Sequence, residues 1–218
     1  MDNKPKVKIV SIIILFILYT LGSLLVFENT GVYIHRAMIW NLFLALIPML
    51  FCYLFLGSEK GIFKILFFIA WFVMFPNVPY LITDFIHITP LVFYTITSEG
   101  TLYIRDIWVW IELLHIAIGV IFGLLVGYQS LFLMHHKFIK TGNSFKAWSM
   151  VIIVSLLSGY GVFLGRFLRL NSWDITHPQA LMNNIMSNFD FFTLQFTVIF
   201  GAFVFFTYSL YYGIQNKK

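Results

Sequence analysis

The apolar residues of this chain fall in long runs, not at every second position as in a half-buried strand and not in the narrow stripe of a surface helix. The first run, IVSIIILFILYTLGSLLVF from Ile9 to Phe27, is followed by others at 37–56, 62–82, 107–134, 148–168 and 191–213. At about 1.5 Å of rise per residue, each run reaches across the ~30 Å hydrocarbon layer of a bilayer. The pattern predicts an all-α membrane protein, a six-helix transmembrane bundle, with residues 1–218 as a single integral membrane domain. The basic start MDNKPKVK looks like the head of a signal peptide. The run behind it is longer than a signal's apolar core, and no small-x-small cleavage site follows, so an uncleaved anchor is expected.

Charge adds an orientation. All ten lysines fall at the N-terminus (Lys4, Lys6, Lys8), between the second and third runs (Lys60, Lys64), between the fourth and fifth (Lys137, Lys140, Lys146) or at the C-terminus (Lys217, Lys218). Positive loops stay inside, so both termini are expected in the cytoplasm. The opposite side receives every arginine, Arg36, Arg105, Arg166 and Arg169, together with Glu28, Asp84, Glu99, Asp106, Asp174 and Asp190; Glu112 lies just inside the membrane there. The net charge of +5 is therefore a topology signal and not a nucleic-acid footprint. With 60% hydrophobic and 11% charged residues, the composition is far from that of a soluble domain, where about a quarter of residues are charged. The single cysteine, Cys52, has no intrachain disulfide partner and sits among apolar residues, in the core or facing lipid.

The third run ends in FPNVPYLITDFIH, from Phe75 to His87. Pro76 and Pro79 cannot donate to the carbonyls of Phe72 and Phe75, which opens the backbone where hydrocarbon cannot satisfy it. Asn77 is placed to help, and Asp84 and His87 follow on one face of a further turn. Two readings stay open: a kink whose polar neighbours cap a broken helix, or one wall of a site facing outwards. In the fourth run, Glu112 and His115 repeat the carboxylate-x-x-histidine spacing of Asp84 and His87. That spacing occurs in helical-bundle metal sites, but further bridging carboxylates are missing, so no metal is expected. Gly119, Gly123 and Gly127, with Ser158, Gly161 and Gly165, predict close packing of the fourth and fifth spans.

The fifth run closes with GRFLRLNSWD. Arg166 and Arg169, followed by Asn171, Ser172, Trp173 and Asp174, have the donors for a phosphate or carboxylate clamp. Internal pairing of these arginines with Asp84, Glu112 or Asp106 is the alternative. Beyond Pro178, the stripe Leu181, Met182, Ile185, Met186 and Phe189 predicts a short interfacial helix in the last outer loop. His135 and His136 read as interfacial residues of the lysine-rich loop.

The strings PNVPYLITDFIH and GRFLRLNSWD, in this order and on one side of the membrane, resemble the bacterial integral membrane family known as domain of unknown function 1361. The resemblance runs from the second span to the sixth. Pro76, Asn77, Pro79, Tyr80, Thr83, Asp84 and His87 match the first motif, and Gly165, Arg166, Arg169, Asn171, Ser172, Trp173 and Asp174 the second. At the start of the fourth span the family has an aromatic-aromatic-Asp pattern, from which Ile111 and Glu112 depart. The likeness implies a fold and a location in the bacterial cytoplasmic membrane, without a reaction or a cofactor.

Together these features predict an outward-facing polar pocket between the third, fourth and fifth spans. Asp84, His87 and Glu112 are its candidate catalytic or proton-moving groups; Asn77, Arg166, Arg169, Asn171, Trp173 and Asp174 are its candidate ligand-binding groups. One reading is an enzyme or binding site for an anionic lipid headgroup or envelope precursor. A second is a small proton-coupled transporter with Glu112 as the titrating group, although the cytoplasmic half of the spans shows no ionisable residue. A third is a non-catalytic subunit that docks a membrane partner protein. The bilayer is the one partner common to all three. No serine elbow, phosphate-binding glycine loop, CxxC pair or HExxH string is present.

Overall fold

Each long apolar run becomes a helix, because an α-helix closes all its own backbone hydrogen bonds within the segment. A computed structural model describes residues 9–59, 61–140, 143–170 and 186–216, with Gln179 and Asn183. Among these residues, six segments are long and apolar enough to cross a membrane: Ile9–Thr30, Ile34–Gly57, Gly61–Ile88, Ile107–Lys140, Ser144–Phe167 and Phe191–Asn216. Five of them are single helices: α1 (Ile9–Thr30), α2 (Ile34–Gly57), α5 (Ile107–Lys140), α6 (Ser144–Phe167) and α7 (Phe191–Asn216). The protein is a multi-pass, all-α membrane protein. Around these helices many large apolar side chains, such as Ile13, Leu18, Ile65, Leu125 and Ile153, stay exposed, as lipid-facing positions must. The stripe from Leu181 to Phe189 read as an interfacial helix lies largely outside the described residues.

The remaining segment is broken where the prolines fall. Helix α3 (Gly61–Met74) gives way to a single turn, α4 (Asn77–Tyr80), and then to a 3-10 helix, η1 (Leu81–Ile88). The carbonyl of Phe75 is taken by the Val78 amide at 2.9 Å, a tightened bond three residues back. The Asn77 side chain bonds the Met74 carbonyl at 2.9 Å, which lies between the Phe72 and Phe75 acceptors that the proline positions pick out. Tyr80 then reaches the Pro76 carbonyl, and the Thr83 hydroxyl the Tyr80 carbonyl. Local donors thus close much of the gap.

Two compact units form along the chain, one from residues up to Phe43 with Asp84–Ile121, the other from Leu44–Thr83 with Phe122–Lys218. In the second unit an apolar and aromatic core gathers Cys52, Trp71, Phe75, Val78, Leu131, Val154, Val204 and Tyr208. Its tightest helix crossing is α6 against α7, where a side chain on Gly159 would run into the Thr197 carbonyl and one on Gly201 would come within 3.0 Å of Leu156 Cα. Ser155 and Ser158 return their hydroxyls to the carbonyls of Val151 and Val154, so small polar residues line this contact without exposing a donor to lipid. The glycines of the fourth and fifth spans do not close on each other as expected. Gly127 faces Val78, Gly161 faces Pro76 and Gly165 faces Tyr80, so each accommodates the broken segment.

Among the described residues, side chains cap three helix starts; at α5 the Asp106 carboxylate accepts from the Trp108 amide at 2.9 Å. Asn143 accepts from the amides of Phe145 and Lys146 at the start of α6. Asp190 accepts from Thr193 ahead of α7, and the Thr193 amide followed by its hydroxyl hold that carboxyl below the usual carboxylate range.

Replacing Gly159 with Ala puts a methyl within 2.8 Å of the Gly201 amide nitrogen. The expected loss is about 1–3 kcal/mol, read as a lower unfolding temperature in detergent. Gly22→Ala, with nothing within 4 Å of the new methyl, serves as the control that does not lower the temperature.

Candidate functional site

The first unit has a polar centre. Helix α1 turns Tyr19 and Ser23, four residues apart, onto one buried face. Helix α2 brings His35, Met38 and Leu42, all fully buried, at the three- and four-residue spacing of one face. Helix α5 brings Glu112, His115 and Ile116, all at or below 7% exposure. One turn further along α5, Gly119 leaves room for the Tyr19 hydroxyl and the end of Met38, both of which a Cβ would displace. The glycine fixes how closely α1 and α2 approach α5.

Within this space the side chains form one continuous hydrogen-bonded chain. Glu112 Oε2 lies 3.0 Å from His35 Nε2. His35 Nδ1 lies 2.9 Å from His115 Nδ1. His115 Nε2 lies 2.7 Å from Ser23 Oγ, and Ser23 Oγ lies 2.9 Å from the Tyr19 carbonyl, to which its hydroxyl donates. The Tyr19 ring stacks on His115 at 4.7 Å and 15°, and its hydroxyl reaches the His115 carbonyl at 3.4 Å. Every step of the chain is at or below 3.0 Å.

Counting hydrogens gives this chain two settings. A serine hydroxyl has one hydrogen, and a neutral imidazole has one donor and one acceptor nitrogen. When Ser23 donates to the Tyr19 carbonyl, it can only accept from His115, so His115 Nε2 carries a proton. The remaining contacts then require three protons shared among Glu112, His35 and His115, and the group is neutral overall. When Ser23 turns its hydrogen to His115 Nε2, two protons suffice, Glu112 is a carboxylate and the group carries one negative charge. Tyr19 loses little by this turn, because in a helix its carbonyl also accepts the Ser23 amide. The two settings differ by one proton and one hydroxyl rotation.

The sequence-derived candidates are distributed unevenly around this centre. Glu112 is a member of the chain, with His115 beside it. Asp84, 1% exposed, accepts from Asn41 Nδ2 at 2.9 Å, also in the first unit. His87, one turn beyond on η1, is exposed. Asn77 is spent on the backbone of its own break. Arg166, in the second unit, donates through Nε at 3.0 Å and through Nη2 to the Thr83 hydroxyl, and its guanidinium lies over the Tyr80 ring at 4.6 Å. Arg169 is exposed and has φ of 54°, the left-handed region, just past the end of α6. Asn171, Trp173 and Asp174 lie outside the described residues. A cavity of about 370 Å³ at the turn between α2 and α3, lined by Tyr53, Ser58, Glu59 and Phe63 among others, contains none of these candidates.

His35 is the member of this hydrogen-bonded chain that the pattern of runs does not reveal. A second span starting at residue 37 leaves it in a loop, whereas α2 begins at Ile34 and buries it completely. The available signal was a partner requirement: a glutamate about 8 Å into a span needs a hydrogen-bonding group from another helix. His135 and His136 are likewise inside α5, not in a loop. His135 is fully buried, its Nδ1 2.8 Å from the Tyr208 hydroxyl and its ring edge-on to Trp148 at 4.6 Å. Among the described residues, no group of three or more His, Cys, Asp or Glu has the geometry to hold a metal ion. In the chain itself, the two imidazoles direct nitrogens at each other.

The family described as "Protein of unknown function (DUF1361)" matches residues 40–207. The matched span includes Asn41, Asp84, Glu112, His115 and Arg166; Tyr19, Ser23 and His35 precede it. No curated protein and no solved structure matches the chain.

Proposed function

The chain belongs to the DUF1361 family of proteins of unknown function, and from its geometry we propose that it is a proton-coupled membrane carrier with Glu112, His35 and His115 as the proton-binding centre. The observation that carries this reading is the unbroken chain from Glu112 to Ser23, buried within segments that cross a membrane. Ionisable groups in such a place cost free energy and mark proton relays more often than packing. The two hydrogen-bond settings supply what a carrier needs, a loaded neutral state and an unloaded anionic one, without moving a helix. The broken segment at Pro76–Pro79 supplies irregular backbone of the kind that carriers place near a substrate.

Placing the lysine-bearing ends in the cytoplasm sets the centre towards the outside. His135, in the second unit, is a further buried histidine of α5 and answers the objection that the cytoplasmic half is inert. Glu112 is then the group that loads and releases the proton, His35 and His115 pass it, and Ser23 records the loading by the direction of its hydroxyl.

Proton uptake by the purified protein in lipid nanodiscs, followed with a pH-indicator dye on stepwise acidification, tests this centre. Glu112→Gln is expected to take up about one proton fewer than the unaltered chain, since one carboxyl is removed from the three-proton setting. Equal uptake by the two proteins contradicts the reading.

An anion site at Arg169 is favoured by a separate observation. Arg169 is the only non-glycine residue with positive φ among the described residues, and it is exposed. A side chain in this conformation costs about 1–2 kcal/mol, and such strain persists most often at functional positions. On this reading Arg169 holds an anionic lipid headgroup beside the end of α6. Arg169→Gly is expected to unfold at a higher temperature in neutral detergent, by the equivalent of about 1 kcal/mol, and to lose the further stabilisation that added phosphatidylglycerol gives the unaltered chain. An unchanged response to phosphatidylglycerol removes the anion site.

A further inference from the structure

Between η1 and α5 the chain forms a small antiparallel hairpin, β1 (Tyr94–Thr97) and β2 (Gly100–Tyr103), joined by the two-residue loop Ser98–Glu99. All eight strand residues are exposed, Ile96 at 81%. A two-stranded hairpin with nothing packed on it is at most marginally stable in water. Its strands, YTIT and GTLY, hold no charge and no proline. These are the features that would protect an edge facing water.

The two faces of the hairpin differ. Tyr94 stands opposite Tyr103 with the rings 6.3 Å apart, and Ile96 lies on the same face two residues along. The other face carries Thr95 and Thr97, with Leu102 opposite Thr95. The first face holds two tyrosines and Ile96 with Thr101 opposite it, and the second holds two threonines and Leu102. Charge is confined to the loop, at Glu99, and to the base, at Arg105 and Asp106.

The base of the hairpin is pinned to the start of a membrane-crossing helix. Trp110, in the first turn of α5, donates from its indole to the Ile104 carbonyl at 3.0 Å and meets the Phe93 ring edge-on at 5.4 Å. Only residues 104–106 separate β2 from α5, a reach of about 10 Å. At about 3.3 Å per residue the strands are roughly 13 Å long, so an upright hairpin would carry its tip out of the interfacial layer.

We infer that the hairpin lies flat in the lipid headgroup region, with Tyr94, Ile96 and Tyr103 turned towards the acyl chains and the threonine face towards water. Tyrosine is suited to this depth, since its ring is apolar and its hydroxyl reaches water or headgroups. The partner is the lipid surface itself, and the hairpin extends the membrane contact of α5 sideways beyond the helices.

Spin labels on single cysteines test the placement in the full chain in nanodiscs, with Cys52→Ala removing the native thiol. Labels replacing Ile96 and Tyr103 are expected to show an oxygen-to-nickel-chelate accessibility ratio several-fold higher than labels replacing Thr95 and Thr97. Each labelled protein must elute at the position of the unlabelled chain before its ratio is read. Equal nickel access on both faces would put the hairpin in water. Exclusion of both reagents from the Ile96 face would put a protein, such as a second copy, over it. Either result overturns the inference.

Discussion

Hydrocarbon offers a polar group nothing to bond to, and the organisation of this chain follows from that constraint. At the proline break, the Phe75 carbonyl turns to Val78, and Asn77 spends its amide on Met74. Ser155 and Ser158 fold their hydroxyls back on their own helix at the α6–α7 crossing. The constraint bears hardest at Glu112, whose carboxyl is met by His35; His35 is met by His115, and His115 by Ser23. A carboxyl there makes the histidines necessary.

The two units answer the same demand in different ways. The second fills its centre with apolar and aromatic side chains and lets glycines bring backbones together. Such a centre resists change, because a void or an added methyl costs free energy at once. The first fills its centre with groups whose hydrogens can be redistributed at nearly constant geometry. A chain of exchangeable hydrogens suits the first kind of environment, and rigidity the second.

Much of this was legible in the residues. Run length alone locates six spans, since no soluble helix needs twenty apolar residues in succession. FPNVPYLITDFIH announces its break, because proline lacks the donor that a helix needs. Glu112 announces a need for a partner. The identity of that partner was not legible, because His35 belongs to a span whose first turn is polar and reads as loop. Ser23 looks like any serine in an apolar run until His115 is found beside it. The fourth and fifth spans meet through side chains such as His135 and Trp148, and not through their glycines, for a related reason. Glycine spacing shows that something approaches closely, and Val78, Pro76 and Tyr80 turned out to be what approaches. Arg166 appeared as an anion clamp from its motif, yet Thr83 and Tyr80 hold it.

The proton count on the hydrogen-bonded chain rests on a single atom, His115 Nε2, because the direction of the Ser23 hydroxyl decides whether that nitrogen is a donor or an acceptor. Solid-state nuclear magnetic resonance of ring-labelled histidine in lipid bilayers, with His115 assigned by its substitution to Asn, reads this state directly. A proton on His115 Nε2, removed when the sample is brought to alkaline pH in step with a change at Glu112, is the expected result. A His115 Nε2 that is bare under all conditions, with no change linked to Glu112, would contradict a proton-loading centre and leave a fixed structural hydrogen-bond chain in its place.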